Sequence, residues 1–128
     1  MSIIGIGTDI IEIERVKASI DRSGDTFLNK IFTSDEIEYC ESKGKAKWES
    51  YAARFAAKEA FTKAVPTEVD KNISWKDVEV IRKHTGKVEI RLSDLAVQLC
   101  NPNWLYHVSL SHHKTSAVAF VLIEERAS

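Results

Sequence analysis

The segment from Trp48 to Val65 constrains the fold more than any other: it is rich in alanine, holds no glycine or proline, and stops at Pro66. Alanine is the best helix former and proline cannot continue a helix, so these residues predict one long helix. At about 100° per residue, Trp48, Tyr51, Ala52 and Phe55 fall within an arc of about 100°, and Glu59 lies on the same stripe, about 40° from Phe55. An acid on an apolar stripe needs a partner, because an unpaired buried carboxylate costs several kcal/mol or takes up a proton. Lys63, four residues on, is the nearest candidate partner, yet a Glu–Lys pair at that spacing contributes only about 0.2–0.5 kcal/mol. Two readings of Glu59 stand: a rim glutamate paired with Lys63, or a carboxylate that holds a metal.

A second acid interrupts an apolar run at the other end of the chain, Ile3-Ile4-Gly5-Ile6-Gly7-Thr8-Asp9-Ile10-Ile11. Read as a strand, the run puts Ile4, Ile6, Thr8 and Ile10 on one face and Ile3, Gly5, Gly7, Asp9 and Ile11 on the other. Asp9 therefore sits beside a bare patch. Glycine inside a strand often marks the close approach of a ligand or of another backbone, which makes Asp9 a site candidate. The competing reading is a bend or bulge that needed glycine, with Asp9 capping the helix that follows.

The remaining pattern is α+β. Ile13, Val16 and Ile20 predict a helix over about residues 11 to 22, Phe27 to Phe32 a short helical piece, and Thr33-Ser34-Asp35-Glu36 a capped helix reaching about Ser42. The run Lys43 to Lys47 is a basic loop. From Val78 to Leu92 the period becomes two, broken by Thr85-Gly86, which predicts a hairpin. Ser93-Asp94 opens a helix reaching about Cys100, and two β runs follow, Tyr106 to Ser111 and Ala117 to Ile123, joined by a polar turn beginning at His112. Helices occupy mainly the first half, and an antiparallel sheet forms from the second half with the first strand added.

At 128 residues, without a repeat or linker, the chain reads as one domain over residues 1–128. A formal net charge of −1 gives no general attraction to nucleic acid or anionic lipid. The N-terminal apolar run has no basic residue before it and is broken by Gly5, Gly7, Asp9, Glu12 and Glu14, so it reads as neither signal peptide nor membrane span. A cytoplasmic protein with no membrane partner is expected. Cys40 and Cys100 lack any zinc-ligand spacing and read as packed thiols. The histidines read first as surface or hydrogen-bonding residues.

A site built from Asp9 and Glu59 offers hard oxygen ligands without sulfur, which suits magnesium, or manganese, over zinc or copper. Magnesium usually completes its shell with water and substrate phosphate, and Lys63 could contact the same phosphates. The group therefore reads as a phosphoryl- or pyrophosphoryl-handling site. No glycine-rich nucleotide loop of the Walker type is present.

Four segments together carry a closer likeness: Gly-Ile-Gly-Thr-Asp-Ile-Ile-Glu-Ile-Glu-Arg-Val (5 to 16), Arg-Phe-Ala-Ala-Lys-Glu-Ala-Phe-Thr-Lys-Ala (54 to 64), Gly-Lys (86 to 87) and His-Val-Ser-Leu-Ser-His (107 to 112). In order and spacing the chain resembles the holo-acyl-carrier-protein synthases, the small 4′-phosphopantetheinyl transferases, from about residue 4 to 124. The resemblance implies that fold and transfer of 4′-phosphopantetheine from coenzyme A to a serine of apo acyl carrier protein, for fatty acid biosynthesis. It implies magnesium on Asp9 and Glu59, with Lys63 stabilising pyrophosphate charge and the serine proton passing to Glu59 or to a water on the metal. It further implies coenzyme A contacts from Arg54, Lys58, Lys63, Thr67 and His112. A homotrimer with active sites between protomers is implied as well, with Arg15 and Arg22 on the helix that meets the carrier protein. Where the family usually has Gly-Thr-Gly after the helix motif, this chain has Pro66-Thr67-Glu68, which removes a backbone N–H and adds a negative charge. A non-catalytic coenzyme A or nucleotide-binding module is the alternative, and a plain oligomeric interaction domain a third reading.

Overall fold

The computed structural model describes residues 1–127. Strand β1 (Ser2–Glu12) leads directly into α1 (Ile13–Ser23), followed by α2 (Asp25–Ile31), α3 (Ser34–Glu41) and the long α4 (Lys47–Ala64). A short α5 (Thr67–Asp70) precedes the hairpin β2 (Val78–Arg82) and β3 (Val88–Leu92), then α6 (Asp94–Leu99), β4 (Trp104–His112) and β5 (Ser116–Glu125). The α+β expectation holds, with one correction. The strands form two antiparallel sheets, β1-β5-β4 and β2-β3, where the alternation suggested one.

The long helix is the centre of the molecule. Tyr51, Ala52, Ala56, Ala57, Ala60 and Phe61 are all buried without residual exposure, and two apolar clusters meet along it. One holds Val121 and Ile123 of β5 with Val78 and Val80 of β2; the other holds Ile13, Val16 and Ile20 of α1 with Phe32. Small side chains on α4 let it lie close to the sheet. Closest of all is its contact with β1, where a β-carbon added at Gly5 would fall 1.8 Å from the carbonyl oxygen of Ala64, and one at Gly7 would fall 1.9 Å from that of Ala60. The bare patch beside Asp9 is thus filled by another backbone.

The face assignment of β1 holds from Gly5 onward: Gly7 is buried and Asp9 and Ile11 are half-buried toward α4, while Ile6, Thr8 and Ile10 point outward. Between Ile3 and Gly5 the pairing with β5 shifts by one residue, so Ile4 turns inward and Ile3 outward, against the simple alternation. The strand also absorbs Ile11 and Glu12, which the periodicity gave to the helix. Ile11 pairs with Ala117, and α1 begins only where the Ile13 amide donates to Thr115 O.

Thr33 caps α3 as its sequence indicated, with Glu36 N donating to Thr33 Oγ1 and Thr33 N to Glu36 Oε1. Glu36 is nonetheless buried, 1% exposed. Cys40 and Cys100 are buried free thiols, as expected. No helix of the described residues is long and apolar enough to cross a membrane.

Candidate active site

Asp9 and Glu59 come together across the contact between β1 and α4 and line one cleft of about 310 Å³ with Arg15, Phe27 and Phe55. Asp9 is half-buried at the inner face of its strand, opposite Ala119, and Glu59 is half-buried on α4. Burial pushes the Glu59 carboxyl above the ordinary carboxylate range, and the nearby Asp9 charge raises it further. Lys63 opposes the shift and Asp70 adds to it.

The lysine is not Glu59's partner. Its Nζ donates to Asp9 Oδ1 at 3.2 Å and to Thr8 O at 3.1 Å, and Glu59 is in no ion pair among the described residues. The reading of Glu59 as a rim residue neutralised by Lys63 therefore fails. Two carboxylates converge beside one exposed ammonium, and the second acid has no cation of its own. Oxygen donors without sulfur or imidazole fit magnesium or manganese, and two protein ligands suffice for an ion that keeps water and phosphate in its shell. No group of three or more His, Cys, Asp or Glu residues is placed to hold a metal among the described residues.

On its other side Glu59 borders a larger cleft, about 430 Å³, walled by Thr62 on α4 and by Asp70, Ile73, Ser74 and Trp75 in the connection to β2. Residues 66–77 carry neither period, so no pattern marks this wall in advance. Trp75 stacks on Phe55 with ring centres 5.1 Å apart, and Phe55 on Phe27 at 6.4 Å, so a ladder of three rings runs beneath the acid pair.

The remaining candidates divide. Arg54 and His112 line a separate cleft of about 200 Å³ with Lys43 and Arg82, two residues the pattern did not single out. Arg54 is 2% exposed; its Nη1 donates to Ser50, while its Nε and Nη2 have no partner. Five residues along a helix rotate a side chain by about 140°, which is why Arg54 and Glu59 face different clefts. Lys58 is turned inward and fully occupied, bonding Glu36 at 2.8 Å and the carbonyls of Val78 and Trp75 at 2.6 and 3.0 Å, so it has no donor left for coenzyme A. Thr67 begins α5 on the exposed connection and lines none of these clefts. Arg15 joins the acid pair, whereas Arg22 lies exposed near the far end of α1.

Comparison with known proteins places nearly the whole chain in one family. The profile of the 4′-phosphopantetheinyl transferase superfamily matches residues 5–121. A holo-[acyl-carrier-protein] synthase of Ruminiclostridium cellulolyticum is 45% identical over 120 residues, covering 92% of this chain and 90% of the relative. One from a Geobacter species is 44% identical over 124 residues, covering 95% and 98%. The fold superimposes on a crystal structure of a holo-(acyl-carrier-protein) synthase from Bacillus anthracis in complex with CoA (3′,5′-ADP), with a TM-score of 0.80, 37% identity, and coverage of 99% of this chain and 100% of that one. The chain belongs to the holo-acyl-carrier-protein synthase family of 4′-phosphopantetheinyl transferases.

Proposed function

We propose that this chain is a single transferase domain that moves 4′-phosphopantetheine from coenzyme A to a serine hydroxyl of apo acyl carrier protein, releasing adenosine 3′,5′-bisphosphate. The observation that carries the reading is the convergence of Asp9 and Glu59, from β1 and α4, with Lys63 as the adjacent exposed ammonium. The serine oxygen attacks the phosphorus that bears pantetheine, the bond from that phosphorus to the bridging oxygen of the pyrophosphate breaks, and the bridging oxygen leaves with the nucleotide. Glu59, which lines the cleft with Asp9, takes the serine proton. Lys63 neutralises charge on the departing phosphate. Magnesium, or manganese, would be held by Asp9 and Glu59 and would supply charge neutralisation for the pyrophosphate.

Arg15 lines the cleft of the acid pair together with Phe27 and Phe55, so the acidic carrier protein docks on α1 with its serine toward Glu59. Arg22 extends the basic character of that helix. A second anionic group of coenzyme A fits the cleft of Arg54, His112, Lys43 and Arg82, where two buried guanidinium donors are unpartnered. In one chain that cleft shares no lining residue with the acid pair, which favours a site completed between protomers. The outer face of the three-stranded sheet supports the same homotrimer: Ile6, Ile10 and Phe120 are 57%, 70% and 43% exposed, a contiguous apolar surface on paired strands. Phe120→Glu is expected to yield monomers by sedimentation and to lose transfer activity. An assembled, active variant would remove the trimer from the reading. We place the reaction in the cytoplasm and in fatty acid biosynthesis, on the family likeness.

The decisive experiment incubates apo acyl carrier protein with this protein, coenzyme A and magnesium, and reads the carrier's mass. A gain of one phosphopantetheine that disappears with chelator is expected. No gain, with coenzyme A still bound, would instead support a binding module without turnover.

A further inference from the structure

Lys58, at the floor of the cleft beside Glu59, forms a buried ion pair with Glu36, each 1% exposed. Stability does not require a pair there, since buried ion pairs can often be replaced by apolar residues of similar volume at no loss. What this one does is geometric. The Lys58 ammonium has three donors and three acceptors: Glu36 Oε1 at 2.8 Å, Val78 O at 2.6 Å and Trp75 O at 3.0 Å. Glu36 is satisfied in turn by the amides of Thr33 and Val80 at 2.9 and 2.8 Å. One side chain therefore joins α4, the cap of α3 and the start of β2.

The points it joins are the two walls of the cleft. Glu59 and Thr62 stand on α4, Trp75 and Val78 on the opposite side, and Lys58 spans the floor between them. Lys58 also precedes Glu59 in sequence. Fixing its side chain inward fixes the rotation of α4 at that turn and leaves Glu59 on the side that meets Asp9, about 100° away. Trp75, whose carbonyl Lys58 holds, stacks on Phe55, one turn before Glu59 on the same helix.

From this geometry we infer that Lys58, through its buried pair with Glu36, is a positioning residue that sets the direction of Glu59 and the width of the cleft beside it. The inference rests on the proposed metal role of Asp9 and Glu59, and replaces the direct coenzyme A contact that the family likeness implied for Lys58. It differs from a plain packing role in one respect: removing the pair should disturb metal binding in a protein that still folds.

The variant Lys58→Met/Glu36→Gln removes both charges without stranding either one. The readout is manganese binding in the presence of coenzyme A, followed by loss of the free ion's electron paramagnetic resonance signal, which needs no transfer activity. The dissociation constant is expected to rise about tenfold, the scale seen when groups that orient metal ligands are removed. The coenzyme A KM should rise with it, while the KM for carrier protein, which docks on α1, stays near the wild-type value. A folded double variant with wild-type manganese affinity would overturn the inference. Should that variant not fold, Lys58→Arg keeps the charge on a longer, planar group that must push the Trp75 wall outward. It should weaken manganese binding in the same direction, and unchanged affinity in a folded Lys58→Arg protein would be equally fatal. If the wild type fails to transfer phosphopantetheine while the affinity shift is present, the proposed reaction is wrong and the positioning role stands.

Discussion

Gly7→Ala is expected to destabilise the protein by more than about 4 kcal/mol, enough to leave little of it folded. The added carbon would sit 1.9 Å from the carbonyl oxygen of Ala60, and neither backbone has room to retreat. On one side β1 is held in register by β5, with Gly7 opposite Val121; on the other α4 is enclosed by both apolar clusters. Because the obstacle is a main-chain oxygen, trimming Ala60 to glycine gives no relief. Soluble yield and the urea midpoint would report the loss. Near-native stability in Gly7→Ala would mean that α4 can lift from β1 at low cost, and the spacing of Asp9 and Glu59 would then be soft.

Glu59→Gln is expected to lower the transfer rate by about 10³-fold or more, since on the proposed mechanism it removes at once a metal ligand and the proton acceptor. Folding should survive. In the metal-free protein the Glu59 carboxyl lies above its ordinary range because burial and Asp9 disfavour its charge. A raised folded value means that this group's contribution to stability is present below its unfolded pKa and is lost as pH rises through the folded one. Where the wild-type residue is ionised its charge is therefore a burden, and the neutral glutamine should match or slightly exceed wild-type stability. Measuring melting and phosphopantetheine transfer on the same sample separates the two effects. An active Glu59→Gln enzyme would contradict the role given to this residue.

The candidate site was legible where a residue violated the pattern around it. Asp9 and Glu59 were each an acid at an apolar position, and violations of local pattern are where function departs from folding demands. The glycines were legible as a close approach, though not as an approach by α4, because period two says which face a residue occupies and nothing about what covers that face. Lys63 was assigned to Glu59 by helical spacing, whereas the structure turns it to Asp9, a pairing over 54 residues that no local rule reaches. Lys58 carried no mark of burial, since an ammonium beside Glu59 looks solvated until Glu36 is brought to it from α3. The split of the strands into two sheets was hidden for a similar reason: alternation marks strands without naming their neighbours. The wall of Ile73, Ser74 and Trp75 has no period at all, and only the fold folds it back on α4.

The join between β1 and α1 has a mechanical side. The strand ends at Glu12 and the helix starts at Ile13, with no loop between them to absorb play. Asp9 and Arg15 are thus mounted on one continuous stiff piece, tied at its bend by the bond from Ile13 N to Thr115 O. If the carrier protein docks on α1 as proposed, a load it applies at Arg15 is passed to Asp9 without slack. On the proposed reading, recognition at Arg15 and chemistry at Asp9 are coupled in series, as the two arms of a single lever.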